Sequence, residues 1–68
     1  MKASIRVNGK AEALLAGTVA EFLRARGIKA ARGLAIAVNG AVVPAGAWRD
    51  KRLAVGDEIE IVKPFGGG

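Results

Sequence analysis

Thr18-Val19-Ala20-Glu21-Phe22-Leu23-Arg24-Ala25-Arg26-Gly27 is the stretch of this 68-residue chain that reads as a helix, and what flanks it decides the fold. Thr18 and Glu21 form a capping-box pair, in which each side chain serves a backbone N–H that the first helical turn leaves free. Val19, Phe22, Leu23 and Arg26 recur at helical spacing, and the apolar members make one stripe. Gly27 stands where a helix commonly ends in a left-handed residue. The spacing predicts one amphipathic helix of about two to three turns, which needs an apolar sheet to lie on.

Toward the N-terminus, Ala3, Ile5 and Val7 alternate with Lys2, Ser4 and Arg6, the period-two pattern of a strand with one buried face. Asn8-Gly9 supplies the two left-handed positions of a tight hairpin turn. Residues 10–15 then read as the return strand, with Glu12 outward, until Gly17 breaks the pattern. Toward the C-terminus, residues 28–33 form a basic connection without periodicity. Leu34, Ile36 and Val38 alternate with alanines, Asn39-Gly40 marks a second tight turn, and Ala41-Val42-Val43 returns until Pro44, which cannot donate to a ladder, closes the strand.

Between Pro44 and Asp57 the pattern lapses into a folded loop, with a short helical turn expected around residues 48–51. Trp48 and Leu53 are expected to fold back over one end of the core; the alternative is an exposed tryptophan used for partner binding. Val55-Gly56-Asp57 reads as the turn into a last strand, Glu58 to Val62, with Ile59 and Ile61 facing one way and Glu58 and Glu60 the other. Strands on both sides of a single helix exclude a doubly wound sheet and predict an α+β layer pair, a helix across one face of a mixed sheet. The last strand arrives after both hairpins, so it can pair centrally, parallel to the first. Residues 1–63 are thus expected to form the domain and residues 64–68 a flexible tail.

A chain of this size buries only about 60% of its unfolded surface, which leaves little room for a deep catalytic cleft. Yet 51% of its residues are hydrophobic, far from the composition of a disordered chain. There is no cysteine, histidine or tyrosine, so the usual nucleophiles, general bases and zinc ligands are missing, and neither a catalytic residue nor a metal site is expected. No nucleophile–base pair can be assembled from Ser4, Thr18 and the scattered carboxylates. No apolar run reaches the roughly 20 residues of a membrane span, and no signal-peptide core is visible, so a cytoplasmic protein without a membrane partner is expected.

The net charge is +5, and the positive residues are spread along the chain with one denser group at Arg24, Arg26, Lys29 and Arg32. Only Phe22, Trp48 and Phe65 are aromatic, without the basic-aromatic alternation that would stack on bases. The charge reads as a solvated basic surface, suited to an acidic protein partner, with no nucleic-acid partner expected. The alternative from another class is a small basic RNA-binding β-domain whose glycines are incidental.

The chain closes on Pro64-Phe65-Gly66-Gly67-Gly68. Three glycines in a row adopt almost any φ/ψ and can thread a channel too narrow for a side chain, which suits chemistry performed by another protein on the terminal carboxylate. A frayed end or an expression remnant is the competing reading. Phe65 could anchor the tail in a partner groove, or pack on its own domain's edge. On the exposed sheet face, Ala37, Ala41 and Val43 are candidate contacts.

The element order resembles the β-grasp, or ubiquitin-like, fold. Within it, the stretch from Ala35 through Asn39-Gly40 to Pro44, then Trp48, Leu53, Gly56-Asp57-Glu58-Ile59-Glu60-Ile61-Val62 and Gly66-Gly67-Gly68, resembles the thiamine-biosynthesis sulfur carriers of the ThiS family. Asn8-Gly9 and the Thr18-Val19-X-X-Phe22-Leu23 helix opening fit the same pattern. The resemblance implies a carrier acted on by partners and not itself an enzyme. An adenylating enzyme of the ubiquitin-activating type would use ATP to convert the Gly68 carboxylate to an acyl-adenylate. Sulfur from a donor such as a cysteine desulfurase would displace AMP, and the resulting thiocarboxylate would deliver its sulfur to thiazole synthase. Gly66 and Gly67 would give the tail access, Pro64 and Phe65 would contact partners, and no cofactor would be bound by the carrier. The related small subunit of molybdopterin synthase, typically a longer chain, is the alternative carrier, and transfer to lysines as a small modifier would use the same carboxylate.

Overall fold

Both Asn-Gly pairs turn the chain as their chemistry predicts. In the computed structural model, which describes residues 4–28 and 33–63, Asn8 and Asn39 have φ of 49° and 54°, and Gly9 and Gly40 follow at 87° and 85°. Two consecutive positive φ values define the hairpin turn whose twist matches its strands, and Asn and Gly tolerate them best. The turns join β1 (Ser4–Val7) to β2 (Lys10–Ala13) and β3 (Ala35–Val38) to β4 (Ala41–Val43). β5 (Glu58–Val62) enters last and takes the centre of a five-stranded sheet of order β2-β1-β5-β3-β4. It runs parallel to β1, as the sequence predicts, and antiparallel to β3.

β2 stops at Ala13, short of the residue 15 expected. Its last pair is Ser4 with Ala13, where the described part of β1 begins, and Leu15 stands 89% exposed. Glu12 corrects a second expectation. It lies directly opposite Ile5, whose side chain is buried, so both share the face on which the helix packs. Glu12 is kept there by Arg26 at the helix end, whose guanidinium donates to Glu12 Oε1 at 2.6 Å.

The helix α1 (Val19–Ala25) buries Val19, Phe22 and Leu23, the stripe read from the sequence. Its N-terminal donors are all met. Val19 N–H donates to the Lys51 carbonyl and Ala20 N–H to that of Trp48, while Glu21 N–H donates to Thr18 Oγ1 at 3.2 Å. The reciprocal half of the capping box is displaced by one residue, because Glu21 Oε1 accepts from Gly17 N–H at 3.0 Å and not from Thr18. Thr18 itself is engaged in an isolated antiparallel bridge with Arg52. At the other end Gly27, at φ 74°, donates to the Arg24 carbonyl and Ile28 N–H to that of Leu23, the paired bonds of a left-handed helix cap.

The core forms between helix and sheet from Ile5, Val7, Val19, Phe22, Leu23, Ile36, Val38, Val43 and Ile59, with Trp48 and Leu53 closing one end. Each such side chain contributes about 1.5–3 kcal/mol of burial. Trp48 is 8% exposed and its Nε1–H donates to the Val43 carbonyl at 2.7 Å, so the alternative of an exposed tryptophan does not hold. The short helical turn lies earlier than expected, at Ala45–Ala47. Pro44, with φ of −61°, starts it, and Ala47 N–H returns to the Pro44 carbonyl at 2.8 Å. The result is the β-grasp arrangement, one helix across one face of a mixed sheet.

Candidate functional site

The tail residues Pro64, Phe65, Gly66, Gly67 and Gly68 lie outside the described residues; the base of the tail is where β5 ends at Val62 and continues into Lys63. Because β5 is the central strand, that base is flanked on both sides. On one side Val62 pairs with Ala35 and Ile61 with Ile36, at the start of β3. On the other side β1 has already turned away at Asn8, and the Asn8 side chain continues the pairing: Ile61 N–H donates to Asn8 Oδ1 at 2.8 Å. Asn39 does the corresponding work where β5 begins, accepting from Glu58 N–H at 2.9 Å through its Oδ1.

The sheet face turned away from the helix opens beside this base. Strand alternation places Glu58, Glu60 and Val62 there, with Ala35 opposite Val62, Ala37 opposite Glu60, and Val42 opposite Ala37. Val42 and Val62 are 72% and 60% exposed, with the small side chains of Ala35 and Ala37 between them. Arg6 and Glu58 add an exposed ion pair at 3.8 Å.

Of the three residues expected on this face, the structure keeps only Ala37. Val43 is buried, since it pairs with Ile36 on the helix side of the sheet, and Ala41 pairs with Val38 and so belongs to that same side. Val42 and Val62 were missed, although a signal existed: once Val43 and Ile61 are assigned inward, period-two alternation puts both neighbours outward. For Asn8 and Asn39 no signal beyond the turn itself existed, because their second role depends on a strand about fifty and twenty residues further on.

Several polar groups elsewhere serve the fold. Thr18 Oγ1 caps α1, and Asp57 accepts from Ala54 N–H at 2.8 Å and from the Asn39 side chain at 3.0 Å. In the basic group, Arg26 stacks 5.2 Å from the Phe22 ring centre while paired with Glu12, which ties the end of α1 to β2. Arg24 is exposed in the last turn of α1, where a cation offsets the negative end of the helix dipole; Lys29 and Arg32 lie outside the described residues. Among the described residues no cluster of three His, Cys, Asp or Glu side chains could hold a metal ion, and no helix is long and apolar enough to cross a membrane.

The model of the ThiS family matches residues 5–68, a span that includes the glycine tail. Among solved structures, the crystal structure of a thiamine biosynthesis protein, ThiS, from Geobacter metallireducens is similar over 96% of this chain and 99% of that one, with 28% sequence identity and a TM-score of 0.79. No curated protein sequence is significantly similar to the chain. A match over nearly the whole length, together with the shared fold, shows that this chain belongs to the ThiS family.

Proposed function

We propose that the protein is a sulfur carrier for thiamine biosynthesis, with residues 1–63 as the carrier domain and residues 64–68 as the working tail. The observation that carries this reading is the family match running through to Gly68, behind a domain that has neither histidine nor cysteine. The carrier supplies no catalyst of its own. A carboxylate is a poor electrophile, since its charge repels nucleophiles and oxide is a bad leaving group. Attack by the Gly68 carboxylate on the α-phosphorus of ATP releases pyrophosphate and yields an acyl-adenylate, which is uncharged at the carbonyl and carries AMP as leaving group. Hydrosulfide adding to that carbonyl expels AMP and leaves a glycyl thiocarboxylate; a persulfide donor expels AMP to give an acyl disulfide, whose S–S bond a thiol reductant then cleaves to the same thiocarboxylate.

The partners in this scheme are a ubiquitin-activating-type enzyme, a sulfur donor such as a cysteine desulfurase, and thiazole synthase, all in the cytoplasm. Val42, Ala37 and Val62 on the open face, with Pro64 and Phe65, form the contact surface, while Gly66 and Gly67 pass the narrow part of the partner site. Five extended residues span roughly 16 Å, enough to reach into a partner without unfolding the domain. The RNA-binding alternative is left without an exposed aromatic among the described residues, because Phe22 and Trp48 are both buried. Intact mass after incubation with ATP, a sulfur source and the activating enzyme tests the proposal. The expected product carries one oxygen-to-sulfur exchange on Gly68; a chain whose mass stays constant would overturn it.

A further inference from the structure

The two hairpin asparagines hold opposite ends of the same strand. Asn39 brackets the start of β5: its N–H donates to the Glu58 carbonyl at 2.7 Å, and its Oδ1 accepts from Glu58 N–H at 2.9 Å. Asn8 brackets the end. Its backbone N–H donates to the Ile59 carbonyl at 2.9 Å, the last backbone bond between β1 and β5. The chain then reverses through Gly9 into β2, so the next donor and acceptor on that side of β5, those of Ile61, have no backbone partner. The Asn8 carboxamide takes that place as a substitute peptide group, with Oδ1 accepting from Ile61 N–H at 2.8 Å and Nδ2 at 3.5 Å from the Ile61 carbonyl. In a strand, N–H and C=O of one residue point to the same side, so the next such pair on this side belongs to Lys63, where the described chain ends.

We infer that Asn8 is a positioning residue for the tail: by holding Ile61 it fixes the end of β5, to which residues 64–68 are joined through Lys63. The inference rests on the carrier reading above. Without the carboxamide, Ile61 and Val62 are held by their pairing with β3 alone, and Lys63 becomes a residue that a docking partner must order. Ordering one further backbone residue lowers affinity about tenfold. Asn is suited to both demands of the position, a left-handed φ and a side chain with one donor and one acceptor, whereas Gly meets only the first.

The test uses the full chain as the varied substrate in ATP–pyrophosphate exchange by the activating enzyme, with amide hydrogen exchange on the same variants. Asn8→Gly keeps the turn and is expected to raise the KM for the carrier about tenfold, the cost of one extra ordered residue, with kcat unchanged. Amide exchange at Ile61, Val62 and Lys63 should quicken. Asn8→Asp, which retains an acceptor for the Ile61 N–H and tolerates the left-handed φ, should recover most of the loss. Asn39→Gly removes the equivalent bond at the far end of β5 and should lower thermal stability without changing KM. Equal KM values for the wild type and Asn8→Gly, or an equal rise in both glycine variants, would overturn the inference while leaving the carrier reading intact. Absence of exchange with the wild type would overturn the carrier reading itself, and the inference with it.

Discussion

Trp48→Phe isolates what the indole contributes to this small core. The ring is 8% exposed, and its Nε1–H donates to the Val43 carbonyl at 2.7 Å, joining the loop after β4 to that edge strand. Phenylalanine keeps an aromatic group but removes the donor, leaving a buried carbonyl without its partner, at a cost of about 1–3 kcal/mol. The smaller ring leaves space that adds to the loss. A domain of this length has a total stability of only about 3–10 kcal/mol, so the change is a substantial part of the whole. Each kcal/mol moves the midpoint of a 60–100-residue domain by about 4–8 °C, so a fall of the order of 10 °C is expected. Trp48→Ala, losing the ring as well, should cost about 3–5 kcal/mol and leave the chain largely unfolded near body temperature. The assay is thermal denaturation followed by far-ultraviolet circular dichroism, because Trp48 is the chain's one tryptophan and its fluorescence disappears with the substitution. A midpoint for Trp48→Phe indistinguishable from wild type would refute the reasoning, since it would mean that the indole closes neither the core nor a hydrogen bond.

Deleting Gly68 should abolish sulfur loading, read by intact mass, with the thermal midpoint unchanged, since a terminal residue beyond the last strand adds little to stability. On the open sheet face, Val42→Glu and Val62→Glu should weaken binding to the activating enzyme in titration calorimetry while shifting stability by no more than about 0.5 kcal/mol, as expected for exposed positions. Unchanged affinity in both variants would remove this face from the contact surface. Arg26→Ala breaks the half-exposed pair with Glu12 and the stacking on Phe22, and should cost about 1 kcal/mol in urea denaturation, with the ion-pair part shrinking at high salt. A variant as stable as the wild type at low salt would show that the end of α1 is not tied to β2 in this way.

Local chemistry made much of the fold legible in the sequence. The Asn-Gly pairs permit little else than tight hairpin turns, the Thr18–Gly27 stretch carries its own cap and stop, and Ile59 and Ile61 alternate with glutamates; each signal lies within a few residues and needs no distant partner. The errors arose where a distant partner decided. Glu12 reads as a solvent-facing residue of an alternating strand, but Arg26 on the helix lets it occupy the helix side. Glu21 completes the capping box at Gly17 and not at Thr18, and the loop from Trp48 to Leu53 supplies the carbonyls that satisfy the first helical N–H groups.

The sequence by itself determined which segments are strands and which is the helix, that no cysteine or histidine chemistry is available, and that a run of glycines follows the last strand. These are properties of residue type and spacing, and they hold however the segments are arranged in space. Only the tertiary structure decided the rest: that β5 takes β3 as its antiparallel neighbour, that Val42 and Val62 share the open face, and that Asn8 and Asn39 each close one end of β5. The physical reason is that a hydrogen bond between Asn8 and Ile61 joins residues 53 positions apart. No periodicity within either segment encodes such a bond; it exists because burying the apolar stripe of α1 against the sheet brings the first hairpin and the last strand side by side.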